Sequence, residues 1–373
     1  MIELLDDFED LDFLDTPMEE VEKIPLVQLE EGQVDPRFLR HSYSGNLLFH
    51  SCPRKFQLKN LGAQKNEDDS SNVTFAFGHV VGDGIQNILV GMEWNQILLK
   101  AFLGWHADLE ASNEKQNKSF FTAIYCLQQF KALTDGGFLD EYEVAIFEGK
   151  PASELSFRIH FKDSTFRGFV DLVLRHKITG ELLVLELKTS SANYVKASNY
   201  KNSAQAIGYS VVLDRIEPEA TSYGVLYLVY LTKLERFETF EFPKTYHQRA
   251  LWLRDRMVDE SNVLTLVKEE GNYGIWPMYG ESCNSFGRDC EYMDICHLQT
   301  SNVMVPLNER HFLDIDRDTK EEAIYQFDIQ LEELLEAQEV QSGGEIVWEV
   351  PNFGPEEVPD LTGFPSLDSD LEV

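Results

Sequence analysis

The stretch "GFVDLVLRHKITGELLVLELKTS" (residues 168–190) sets Asp171, Glu186 and Lys188 into the most apolar β-rich run of the chain. Two runs rich in Val and Leu flank the tetrapeptide "KITG" (177–180), and Gly180 suits the end of a hairpin loop. With those four residues as the loop, His176 pairs with Glu181, and the same register sets Asp171 opposite Glu186. The two acids then face each other, roughly 4.5–5.5 Å apart at Cβ. Lys188, two residues on, projects from the same face, while Leu185 and Leu187 point the other way. Two carboxylates this close repel unless one is protonated or a cation lies between them. Mg²⁺ accepts a site of one or two carboxylates completed by waters and phosphate oxygens. A lysine beside it can orient water or balance charge at an attacked phosphorus. These three residues fit two readings alike, such a site or a Glu186–Lys188 surface pair on a half-exposed strand.

Outward from the hairpin, strand patterns cover "LSFRIHF", "TFRGFVDLVLR", "ELLVLELKT", "YGVLYLVYLT" and "FETFEF". Helical spacing covers 46–62, much of 75–135, about 200–214, about 245–268 and 320–338. Helices around a small central mixed sheet make the chain α/β or α+β, with 75–135 as a helical insertion. Three parts follow: an acidic arm over 1–36, a domain over 37–310, and a helix with an acidic tail over 311–373. At 373 residues the chain can bury a substantial core.

Gly168-Phe-Val-Asp171, Glu186-Leu-Lys188 and Gln205-Ala-Ile-Gly-Tyr209 stand in that order on strand, strand and helix. In this the chain resembles the PD-(D/E)XK nuclease superfamily, specifically its RecB-like branch. The resemblance implies a restriction-endonuclease-like core in which Asp171, Glu186 and the backbone carbonyl of Leu187 hold Mg²⁺ or Mn²⁺. Lys188 then positions the attacking water, and Gln205 and Tyr209 contact the DNA strand. The branch carries a further metal-ligand histidine at an early helix start. In "FGHVVGDGIQNIL" that position falls on Gly82, and His79 and Asp83, one helical turn apart, fit two readings alike: a joint substitute with either reaching the metal, or a helix-start histidine with no ligand role.

Of five cysteines, Cys126 lies in a helical apolar pattern and reads as core. Cys283, Cys290 and Cys296 form a C-x6-C-x5-C run, and Cys52 stands far off in "SCPRKF". Four thiolates can hold zinc or an iron–sulfur cluster, and the tight knuckles usual for zinc are missing. The one-plus-three layout resembles the iron–sulfur-staple nucleases, among them the AddB-type helicase–nucleases and the RecB-like CRISPR-associated nucleases. It implies a [4Fe-4S] cluster on Cys52, Cys283, Cys290 and Cys296 that closes the domain.

The formal net charge of −33 at first argues against a nucleic-acid binder, but its placement does not. Residues 1–36 hold 13 acids and one base, 311–373 hold 18 and two, and the remaining 37–310 hold 34 and 29. A near-balanced centre can carry a local basic groove, and the acidic ends read as solvated tails or as docking segments for a replication or recombination protein. An acidic N-terminus and the lack of a bilayer-length apolar run lead to the expectation of a soluble, cytoplasmic protein with no membrane partner. The implied function is a metal-dependent, single-strand-specific DNA exonuclease in replication, recombination or repair, in a bacterial or phage-infected cell. The alternatives are a non-catalytic DNA-end-binding or scaffold protein, and a subunit active only within a complex such as one for CRISPR adaptation.

Overall fold

The computed structural model describes residues 33–63, 72–108, 117–285, 288–300 and 325–346. The chain divides into two units. The larger takes residues 39–47, 68–269 and 326–373, and the smaller takes 1–38, 48–67 and 270–325. The expected acidic arm and tail fall largely on 1–32 and 347–373, outside the described residues.

The helix expected over 46–62 is two, α1 (Tyr43–Ser51) and α2 (Pro53–Asn60). Pro53 cannot donate to a continuing ladder but suits the first helical position, and Cys52 before it is extended. Helices α3 (Asn72–Leu89), α4 (Trp94–Asp108) and α5 (Phe120–Asp135) follow. The expected helix over 200–214 is a single turn, Ser198–Lys201, and then α6 (Ala204–Leu213); α7 (Tyr246–Glu270) comes later.

An eight-stranded mixed sheet carries the larger unit. Two short strands, β1 (Arg40–Ser42) and β2 (Tyr142–Val144), both pair with β4 (Thr165–His176). On the path, β3 (Ser153–His160) lies antiparallel to β4, and β4 antiparallel to β5 (Leu182–Ser190). Next, β5 runs parallel to β6 (Ser222–Leu231), which is antiparallel to β7 (Arg236–Thr245). Beyond β3 lies β8 (Phe327–Gln330), in parallel. Strand β6 is buried on both faces, which is why "YGVLYLVYL" reads as a continuous apolar run. Helices α3, α4 and α5 cover one face of the sheet. Helices α6, α7 and α8 (Leu331–Gln341) cover the other.

Strand β8 corrects the helix expected over 320–338, of which 320–324 lie outside the described residues. Ile329 points into the core, and Asp328 points out to Arg158 and His160 on β3. Gln330 is extended and forms a capping box with Glu333, so the helix starts at Leu331.

Helix α8 is fastened by a buried network. The fully buried Arg249 guanidinium donates to Asp214 Oδ2 at 3.0 Å, to Gln341 Oε1 at 2.7 Å and to the Ala220 carbonyl at 2.7 Å. Gln338 and Gln341 donate in turn to the same Asp214 carboxylate. The smaller unit has a similar hub. Arg54, fully buried on α2, donates to the carbonyls of Cys296 at 2.9 Å and Leu298 at 2.7 Å, and to Thr300 Oγ1 at 2.6 Å. Phe38 and Phe56 pack on Trp276 beside it.

Removing one member of a buried charge pair strands the other, at a cost of about 3–5 kcal/mol. Arg249→Ala is therefore expected to lower unfolding free energy by about that amount in urea titration, whereas Arg254→Ala, on the exposed face of the same helix, should change it by less than about 0.5 kcal/mol.

Candidate active site

The hairpin forms as its sequence dictates. The His176 N–H donates to the Glu181 carbonyl at 2.9 Å, Gly180 adopts φ +79°, and pairs run from Arg175 with Leu182 to Leu172 with Leu185. The next pair in that register is Asp171 with Glu186, and there the ladder parts. The Leu187 N–H is taken by Asp171 Oδ2 at 2.8 Å, while β5 continues along β6 through Ser190. Gly168 admits this strand to the core, since a Cβ there would stand 2.6 Å from the Phe157 ring.

Opposite Asp171 on β3 lies Glu154, which sequence reasoning missed. Its φ of +49° is left-handed, an uncommon conformation for glutamate. Inward alternation slips there on both strands. Leu155 and Phe157 share a face with Val170 and Phe166, yet beyond the kink Ala152 and Val173 take it too. The kink turns Glu154 toward Asp171. Gln86 on α3 donates to Glu154 Oε1 at 2.6 Å and accepts from Ser153 Oγ at 3.1 Å. A left-handed glutamate has no one-dimensional signal, so only the pairing reveals it.

Lys188 Nζ donates to Glu186 Oε1 at 2.5 Å and to Gln205 Oε1 at 3.1 Å. Gln205 Nε2 donates on to the Tyr209 hydroxyl at 2.7 Å. The two α6 residues thus reach the hairpin from one helix face, as i, i+4 spacing requires. Tyr209 is only 8 % exposed and its ring meets Phe157 edge-on in the core, so Gln205 is the member that faces the site. Leu185 and Leu187 lie on the opposite face of the sheet, against α3 to α5. His79 and Asp83 are exposed on α3 and line, with Glu154, Asn87 and Lys100, a cavity of about 370 Å³.

Burial pushes Glu186 up to about 8, helped by the Asp171 charge and opposed by Lys188. Burial raises Asp171 against the Leu187 hydrogen bond, and raises Glu154 against the Gln86 bond, with Asp171 and Asp83 adding repulsion. Burial acts to lower Lys188, but the Glu186 carboxylate outweighs it and the ammonium is held above its usual range.

No three His, Cys, Asp or Glu side chains among the described residues are drawn together tightly enough to hold a metal ion alone. Magnesium needs fewer, since two carboxylates with carbonyl and water oxygens suffice. Glu186 Oε2 is buried with no hydrogen-bond partner, a cost of about 1–3 kcal/mol that a cation would remove. The donor set fits a hard divalent ion.

Cys52, Cys283, Cys290 and Cys296 are half-buried in the smaller unit, and Cys126 lies wholly in the core of the larger. Burial raises the Cys296 thiol first, and Cys283, Cys290 and Cys52 raise it further, so the four share one electrostatic neighbourhood. Their sulfurs do not form a metal-holding group among the described residues.

The fold thus gathers three acids, a lysine and an amide at the point where β4 and β5 part. The model of the PD-(D/E)XK nuclease superfamily matches residues 40–297, and the chain belongs to that superfamily. No curated protein matches. Among solved structures, "Crystal structure of SSO0001" matches at 15% identity, over 61% of this chain and 84% of that one, with a TM-score of 0.22. No helix among the described residues is long and apolar enough to cross a membrane.

Because its folded value lies above the ordinary 4.5, ionising Glu186 costs nothing at pH 4 and progressively more as pH rises toward about 8. The stability of Glu186→Gln relative to the parent should therefore rise between pH 4 and pH 8, by at most about 1.4 kcal/mol per pH unit; a difference between the two proteins that stays constant over that range would refute the assignment of a strained carboxylate.

Proposed function

We propose that this chain is a Mg²⁺- or Mn²⁺-dependent deoxyribonuclease. The observation that carries the reading is the orphaned Oε2 of Glu186, buried beside Asp171 and Lys188. Asp171, Glu186 and the Leu187 carbonyl are its metal ligands, with Glu154 as a further carboxylate and His79 or Asp83 at the rim in place of the missing histidine at Gly82. The ion supplies charge neutralisation at the phosphate and a more acidic bound water. Lys188, steadied by Glu186 and Gln205, donates a hydrogen bond to the attacking water and fixes its line of approach. Tyr209 holds Gln205, and Gln205 meets the strand. The family resemblance supports single-stranded DNA as substrate, degraded from an end, in replication, recombination or repair.

From the same resemblance we infer a [4Fe-4S] cluster on Cys52, Cys283, Cys290 and Cys296. The shared neighbourhood of the four thiols and the Arg54 hub, which holds the Cys296 carbonyl, support this grouping, and the sulfurs would draw closer together on the cluster. The charges of −12 and −16 on residues 1–36 and 311–373 fit docking segments for a basic partner of the DNA machinery as well as they fit solvated tails.

Asp171→Ala and Lys188→Ala should each reduce degradation of labelled single-stranded DNA by on the order of 10²–10³-fold, as loss of one electrostatic catalyst of this kind does. Cleavage should rise with pH from 6 toward 8, because Glu186 must lose its proton before it can bind the ion. Full activity in all variants, or in excess chelator, would defeat the reading. Protein purified without air should be brown with about four irons per chain, and Cys126→Ala should keep the colour; colourless protein carrying zinc would exclude the cluster.

A further inference from the structure

From Leu187 to Leu213 the chain holds no acid and three lysines, although 65 of its 373 residues are acidic. The exposed part of that stretch, residues 191–199, leaves the end of β5 two residues beyond Lys188. It carries Asn193, Tyr194, Lys196 and Asn199 around a shallow groove of about 460 Å³. Tyr194 is 66 % exposed, while its neighbour Val195 packs against the core and fixes the loop. The base of the loop is held as well. Buried Lys244 donates to the Lys201 carbonyl, and Tyr200 stacks on Phe240 close enough to Lys188 to feel its charge. On the other side the β6–β7 turn joins it, where Thr232 donates to the Ser190 carbonyl at 2.8 Å and Lys233 is exposed.

A large aromatic left in water on a pinned loop, in a stretch that carries lysines and amides and no acid of its own, has the chemistry of a single-strand track. Stacking on an aromatic ring is open to every base, and lysines follow the phosphates. We infer that residues 191–199 bind a single nucleic-acid strand next to the cleavage site, one base stacking on Tyr194 and the adjoining phosphate pairing with Lys196. This subsite rests on the nuclease reading for its purpose, but its test is binding and not cleavage.

Fluorescence anisotropy with a labelled single-stranded oligonucleotide, on the full chain without divalent ions, provides the measurement. Tyr194→Ala should weaken binding about tenfold, as loss of one stacked base does. The same variant should match the parent on an oligonucleotide made abasic throughout. Lys196→Ala should lower the slope of log affinity against log salt by about 0.7. Ile178→Ala, at the exposed hairpin turn, is the control that should bind as the parent does. Parental binding by both loop variants overturns the inference, and so does an equal loss on the abasic strand. Competition by an acidic peptide as strong as by DNA also overturns it, since the surface would then serve a protein. A parent that binds as described but fails to cleave with Mg²⁺ leaves the subsite standing and defeats the nuclease reading alone.

Discussion

The hydrogen bond from the Leu187 N–H to Asp171 Oδ2 is where a hairpin becomes a site. Up to Leu172 and Leu185 the two strands exchange ordinary backbone bonds. One residue later a carboxylate replaces a carbonyl as acceptor, so β4 and β5 separate without leaving a buried donor unpaired. The separation opens room between strands for side chains that a closed ladder would keep on the sheet surface. Strand β5 can leave β4 because β6 takes it up through Ser190, and β6 is immobilised by cover on both faces. The rest of the arrangement follows: Glu186 is carried inward, Lys188 follows it, and α6 brings Gln205 within reach.

Three carboxylates in one place work against stability, and the fold compensates by fixing each one separately. Asp171 is held by a backbone donor, Glu154 by Gln86, and one oxygen of Glu186 by Lys188. The second oxygen of Glu186 has no such support. Burial raises all three acids, the largest rise falling on the most buried. Structural ion pairs are normally completed by further donors. The oxygen left without a donor is the one that the proposed cation would complete.

How much of this could be read from the sequence follows from how local each feature is. The hairpin was legible because turn chemistry and strand alternation are short-range, and they set Asp171 and Glu186 in register. Gln205 and Tyr209 were legible as a helical pair, but the burial of Tyr209 was not, since it depends on Phe157 from another strand. Glu154 was invisible because its role arises from a left-handed backbone and from Gln86, 68 residues away. The four residues of β8 were read as helix because "FDIQ" is too short to establish a period of two, and only pairing with β3 stabilises it. Pro53 could have divided α1 from α2, since a proline inside a helical pattern marks a start as readily as a kink.

Net charge proved the least informative quantity, and distance explains why. Residues 1–36 and 311–373 carry −12 and −16 of the total −33, so the figure describes the ends of the chain and not its catalytic unit. At physiological ionic strength exposed charges are screened over about 8 Å. What a phosphate meets at the site is therefore set by side chains within a few residues' reach. There the local balance runs opposite to the whole, with Lys188, Lys196 and Lys201 in a stretch that has no acid. The acids that do matter are buried with raised affinities for protons, which lowers the negative field they project toward an approaching strand. A protein of strongly negative composition can accordingly carry, directly after Lys188, a stretch free of acids along which the proposed strand would run.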